Sequence, residues 1–183
     1  EIWEEMALTR ARVVPADACH EVGLYRNGDA GRWIDEAAPE KGVAFDGRVA
    51  EDFKLTTGTW VSVGTLRVNL VSALAPIAQD AVITGHDGDE IGAMVFLAPA
   101  ANELPREAVV EKVRTALQGM RALGGGSSSY PTRVLLLTEP PSVDAGEITD
   151  KGYVNQRAVL ARRATEVALL HGDAAHERVI RID

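Results

Sequence analysis

A single lysine, Lys151, stands in the stretch PPSVDAGEITDKGYVNQRAVLARRA, between a turn-rich run and a helical pattern. Pro140, Pro141, Gly146 and Asp150 precede it and Gly152 follows. That composition predicts a long, mobile loop opening into a helix. An ammonium on a flexible stem there is suited to neutralise phosphate oxygens in a phosphoryl or adenylyl transition state. Taken alone, a lysine before a helix is more often simply solvated. Asp29, in YRNGDAGRWID, could accept two hydrogen bonds from the vicinal hydroxyls of a ribose. The same Asn-Gly-Asp is also ordinary turn chemistry. Arg48, after the glycine of FDGRVAEDFK, carries a fork that reaches ribose or phosphate oxygens, or one that merely meets solvent at a strand end.

Other groupings carry less. GHDGDEIG offers Asp87, Asp89 and Glu90, but a calcium loop needs more oxygen ligands at set spacing, so a hairpin turn is expected and no metal ligand is assigned. GGGSSS lacks the lysine of a phosphate loop and reads as a flexible joint. Cys19 and His20 are adjacent, which is not the spatial pairing a nucleophile and its base require.

The elements that must position these residues follow from periodicity. Residues 1–41 show no clean period. KGVAFDGR reads as a short strand ended by an Asp46-Gly47 turn, and EDFKLTTGTWVSVG as a hairpin turning at Gly58. Leu66, Leu70, Val71 and Leu74 predict a helix with Thr65 as N-cap and Pro76 as its stop. DAVITG and EIGAMVFLAP are strands. Val109, Val113, Ala116, Leu117 and Met120 mark one face of an amphipathic helix, with Pro105 near its start. RVLLLTE is an apolar, central strand. Val154, Ala158, Leu160, Ala161, Val167 and Leu170 predict one last helix to about His171. From residue 51 the order ββαββαβα predicts an α+β or α/β domain, a small sheet with helices on at least one side.

Bulk properties exclude several classes. The net charge of -8 argues against nonspecific nucleic-acid binding, which needs clustered cations. No stretch approaches the roughly 18 apolar residues of a membrane helix. The single cysteine forbids an intrachain disulfide. A cytoplasmic protein is expected. The chain opens on Glu1 without methionine or a signal-peptide pattern, and a fragment of a longer protein is expected.

Taken in order, these signals resemble a known arrangement. The Y-R-x-G-D stretch, G-R-x-x-x-x-x-K some twenty residues on, the glycine hairpin, GHDGDEIG and the late lysine together are similar to the C-terminal part of the adenylate-forming acyl-CoA synthetases, the AMP-binding family. The likeness runs over residues 24–170. FDGRVAEDFKLTTGTWVSVGTLR and GEITDKGYVNQRAVLARRA resemble the feruloyl-CoA synthase subgroup more than the acetyl or fatty-acyl ligases.

The resemblance implies an α+β lid, a small mixed sheet with flanking helices over residues 50–183. A short β-rich end of the large N-terminal domain would occupy 1–49. It implies that Asp29 and Arg48 contact the AMP ribose, and that Ala50 or Glu51 marks the hinge. Gly58 and Trp60 would lie along the coenzyme A passage, and Lys151 would bridge the acyl carboxylate and the ATP phosphate. ATP, Mg²⁺ and coenzyme A are the implied cofactors and co-substrates, and a carboxylic acid, aromatic by subgroup, the substrate. The sequence departs from the family twice. Ala50 stands where the hinge usually carries Asp or Lys, and Glu147 follows Gly146 where Gly-Lys is usual. Both departures favour one alternative, a noncatalytic α/β interaction domain; a further alternative is an adenylating enzyme that loads a carrier protein.

Overall fold

The computed structural model describes residues 28–174 and 176–182. Cys19, His20, Tyr25 and Arg26 lie outside the described residues. The chain divides into two compact units between Asp52 and Phe53, where the sequence reading put its boundary between 49 and 50.

The described part of the first unit is a hairpin. β1 (Asp29–Trp33) runs antiparallel to β2 (Val43–Arg48), from Trp33 opposite Val43 to Asp29 opposite Arg48, with a register shift between Asp29 and Gly31. Asp35 steadies the connection, accepting from the Ala37 N–H at 3.0 Å and from Lys41 Nζ at 2.6 Å. Two expectations are corrected. DAGRW is a strand inside the stretch read as irregular; it lacks apolar alternation and is held by its partner's backbone. Asp46-Gly47 lies within β2, because pairing with β1 continues to Arg48 and overrides local turn preference; the turn comes next, with the Glu51 N–H donating to Arg48 O at 2.9 Å.

The second unit is an α+β domain built on a mixed four-stranded sheet with helices on both faces. β3 (Phe53–Lys54) and β4 (Trp60–Val61) form a small hairpin that leads into helix α1 (Val63–Ala73). β5 (Ala78–Thr84) and β6 (Gly92–Leu97) are antiparallel. Helix α2 (Arg106–Ala122) then crosses over so that β7 (Arg133–Leu137) runs parallel to β6, as a parallel pair requires. Two helices, α3 (Gln156–Arg162) and α4 (Ala164–His171), lead to β8 (Val179–Arg181), antiparallel to β7. The sheet order is β5-β6-β7-β8.

Period-two alternation divides the core. Ala81, Ile83, Ala93, Val95 and Val134 face α1 and α2. Val82, Met94, Phe96, Leu135 and Leu137 face the side that holds Val159 and Leu170 of α3 and α4. α2 buries Val109, Val113, Leu117 and Met120, the stripe its sequence predicts. Each such side chain contributes roughly 1.5–3 kcal/mol on burial.

Four further points of the sequence reading need correction. α1 begins at Val63 with Ser62 at its N-cap, so Thr65 lies inside the helix. The last helix is two, broken at Arg163, whose backbone leaves helical geometry at φ -100, ψ 35; Val154 precedes both, in a β-bridge with Ile148. β8 is a strand that the sequence reading lacked, since three residues are too few to show a period. In GGGSSS the Ser129 N–H donates to Gly126 O at 3.2 Å, and its hydroxyl shares one proton between Gly126 O at 2.7 Å and Gly124 O at 2.9 Å, so a hydrogen-bonded turn stands where a flexible joint is expected.

Candidate functional site

Lys151 occupies the apex of a tight turn within the long stretch between β7 and α3, where the composition suggests a mobile loop. Ile148 and Val154 bridge antiparallel at its base. The Thr149 N–H donates to Tyr153 O and the Gly152 N–H to Thr149 O, both at 2.8 Å. Gly152 takes φ +81, the left-handed geometry that lets so short a reversal close and that glycine adopts without strain. Asp150 and Lys151 are the two central residues, and Lys151 is exposed. The chain then enters α3 through Asn155, whose side chain accepts from the Ala158 N–H at 3.2 Å and whose own N–H donates to Glu147 O at 2.8 Å.

A buried carboxylate fixes the turn from below. Glu147 is 0 % exposed. Its Oε1 accepts from Arg163 Nε at 2.8 Å. Its Oε2 accepts from Arg163 Nη2 at 2.9 Å, Arg162 Nη1 at 3.1 Å and the Ser142 N–H at 2.7 Å. One donor meets Oε1 and three converge on Oε2, so both carboxylate oxygens are engaged. The Arg163 hydrogen bonds hold Glu147 down to about 2 against the opposing cost of burial, with help from the Ser142 N–H and the charges of Arg163 and Arg162. Arg163 also donates to Glu139 O at 3.2 Å and Pro140 O at 3.0 Å, and its guanidinium carbon lies 5.0 Å from the Phe96 ring centroid.

Two more side chains tie this region to the sheet. Arg67 of α1 grips Asp80 at 2.7 and 2.5 Å and donates to Val154 O at 3.5 Å. Gln156 accepts from the Ile83 N–H at 3.1 Å and donates to Ile83 O at 3.3 Å, satisfying backbone groups that edge strand β5 turns outward. The sequence reading noticed Glu147 only as a departure and missed Arg163, Arg67 and Gln156. The available signal was two adjacent arginines in an otherwise apolar helical pattern.

The hairpin of Gly58 and Trp60 is supported differently. Gly58 takes φ +79, and its N–H donates to Leu55 O at 2.8 Å. Trp60 opposes Lys54, whose Nζ lies 5.8 Å from the indole centroid, and remains 44 % exposed. The β5–β6 turn holds the hairpin: the Thr56 N–H donates to Gly88 O at 2.9 Å, the Asp87 N–H to Lys54 O at 3.0 Å, and the Thr56 hydroxyl to Asp89 Oδ1 at 2.6 Å. Gly85 opens that turn with φ +124, and a Cβ there would sit 2.6 Å from Glu90 O. GHDGDEIG is thus a hairpin turn that braces a neighbour. Among the described residues no group of three or more His, Cys, Asp or Glu could hold a metal ion.

In the first unit the structure brings Asp29 and Arg48 together as register partners, with Arg48 Nε 3.8 Å from Asp29 Oδ1. The pair sets carboxylate acceptors beside a guanidinium fork on a partly exposed strand end. Ala50 and Glu51 lie in the turn that follows.

Residues 55–174 match the family described as the AMP-binding enzyme C-terminal domain. The chain belongs to that family. The match takes in Gly58, Trp60 and Lys151 and stops short of Asp29, Arg48, Ala50 and Glu51. Solved structures similar to this AMP-binding C-terminal domain chain include the adenylation domain of a carboxylate reductase from Mycobacterium chelonae, at 20% identity and TM-score 0.70, covering 90% of this chain and 25% of that one. The A-PCP didomain of a carboxylic acid reductase from Segniliparus rugosus in complex with AMP is similar at 23% identity and TM-score 0.67, covering 90% and 22%. The anthranilate CoA ligase AuaEII in complex with anthranoyl-AMP follows at 22% identity and TM-score 0.54, covering 79% and 25%. At these identities the likeness is one of fold. No curated protein matches the sequence. The chain spans about a quarter of the length of the structures it resembles.

Proposed function

We propose that the chain is the C-terminal part of an ATP-dependent acyl-CoA synthetase, feruloyl-CoA synthase-like, in which Lys151 delivers its ammonium to the reacting phosphate. In this reading ATP and a carboxylic acid, aromatic by subgroup, give an acyl-adenylate and pyrophosphate. Coenzyme A then displaces AMP to give the thioester. Negative charge gathers on phosphate oxygens in the first half, where a preorganised cation is worth most. Asp29 and Arg48 hold the ribose hydroxyls. Residues 1–49 close the large N-terminal domain, residues 50–183 form the lid, and Ala50 or Glu51 is the pivot on which it turns. Gly58 and Trp60 line the pantetheine passage in the thioester-forming pose. A Mg²⁺ ion bound to phosphates needs few protein ligands, and the part this reading assigns to the second unit is the Lys151 ammonium. The reaction takes place in the cytoplasm.

The observation that carries this reading is an exposed lysine at the apex of a braced turn, inside the family match. In the full-length protein, Lys151→Ala is expected to abolish acid-dependent pyrophosphate release while thioester formation from supplied acyl-adenylate survives. Equal loss in both halves overturns the role.

A second reading, transfer of the acyl group to a carrier protein, draws support from the higher TM-scores of the carboxylate reductase domains, 0.70 and 0.67 against 0.54 for the CoA ligase. Pyrophosphate release with ferulate and other aromatic acids, followed by a test of whether coenzyme A yields a thioester, separates the two.

A further inference from the structure

We propose that Glu147 and Arg163 are positioning residues for Lys151, a buried ionic clamp that fixes where the turn projects; the inference rests on the role given to Lys151 above. The outgoing arm and the base of the turn converge on one guanidinium, and the return arm is tied to it through Glu147. The outgoing arm is held through the carbonyls of Glu139 and Pro140, and the base of the turn through the Glu147 carboxylate. The return arm is held through the backbone of the same glutamate, whose carbonyl accepts from Asn155. The guanidinium lies over Phe96 of β6, so the clamp is referenced to the rigid sheet. It sits where the chain breaks between α3 and α4, which brings Arg162 and Arg163 onto one carboxylate.

The chemistry of the clamp speaks for position over mere cohesion. A buried ion pair is seldom the most stabilising filling for its volume, and well-packed apolar side chains often serve as well. What a bidentate fork adds is direction. Direction is what an exposed lysine lacks by itself, since its long stem is free at the apex. Misplacing a reacting group by about 1 Å can cost roughly 100-fold in rate.

The test uses the full-length protein and measures the two half-reactions separately, per folded molecule, in Glu147→Gln, Lys151→Ala and the double variant. Glu147→Gln keeps the side chain's shape and removes its charge. It is expected to slow adenylation by roughly 10–100-fold, mainly in kcat, and to leave thioester formation from supplied acyl-adenylate within about twofold. The double variant is expected to be no slower than Lys151→Ala, because the glutamate acts through the lysine. Should Glu147→Gln not accumulate as folded protein, Arg163→Lys, which keeps the charge and loses the fork, carries the same comparison. If Lys151→Ala leaves adenylation intact, the reading of Lys151 falls and the clamp's role with it. If Lys151→Ala abolishes adenylation while Glu147→Gln does not slow it, or slows both halves alike, the clamp inference alone falls.

Discussion

Two reversals of the second unit present residues to solvent, and they are held by opposite means. The turn of Lys151 stands on a fully buried carboxylate with four donors. The hairpin of Gly58 and Trp60 leans on a neighbouring turn through two backbone hydrogen bonds and one hydroxyl, with an exposed Lys54–Trp60 contact on its flank. Buried charge pairs are little screened and lose much if broken, whereas exposed polar contacts each contribute about 1 kcal/mol or less. The first reversal is therefore held through buried charge, while the second, anchored at its base by buried Phe53, Leu55 and Val61, has only exposed polar contacts toward its tip.

Breaking the clamp tests this contrast most severely. Glu147→Ala leaves Arg163 buried without its carboxylate and is expected to destabilise the chain by about 3–5 kcal/mol, read from urea unfolding midpoints. A cost below about 1 kcal/mol would erase the distinction between the two reversals.

Acid reaches the same clamp without mutation. Glu147 titrates at about 2 when folded and near 4.5 when free, so the unfolded chain binds its proton first. Its stabilisation is complete above about pH 4.5 and fades as pH falls toward 2, a loss on the order of 3 kcal/mol. Glu90 and Asp35 are also held below the usual carboxylate range, so the share of the slope that belongs to Glu147 is the part that Glu147→Gln removes. Denaturant titrations between pH 5 and 2 should show that slope in the parent chain and a shallower one in Glu147→Gln.

Glycine substitutions sharpen the comparison at the two apices. Gly152→Ala and Gly58→Ala meet no atom within 4 Å, at φ +81 and +79, so each pays only for left-handed backbone, about 1–2 kcal/mol. Similar unfolding midpoints for both would place the difference between the reversals beneath their tips. The smallest effect is expected from Lys54→Ala, about 0.5–1 kcal/mol from an exposed cation–π contact. A cost above that range would mean that the hairpin's flank matters more than its docking on the β5–β6 turn.

The sequence made visible what local chemistry controls. The α2 stripe from Val109 to Met120, the strands at Val82 and Met94 and the GHDGD turn all announce themselves within a few residues, and all are present. The rest depends on distant partners. Asp46-Gly47 is extended because β1 pairs across it, which no short window reveals. The burial of Glu147 is decided by Arg163 one helix later, so the glutamate looked like a gap in a motif instead of a foundation. Lys151 was legible as a residue type, and its braced turn was not, since the Ile148–Val154 bridge rests on partners spread from Arg67 to Arg163.

The grip of Gln156 on Ile83 bears on how the molecule behaves in company. β5 is a border strand, and a bare border invites a second chain to extend the sheet. By occupying both the amide and the carbonyl of Ile83, one side chain denies an incoming strand a rung near the end of β5. That rung is thereby closed to sheet extension along this margin.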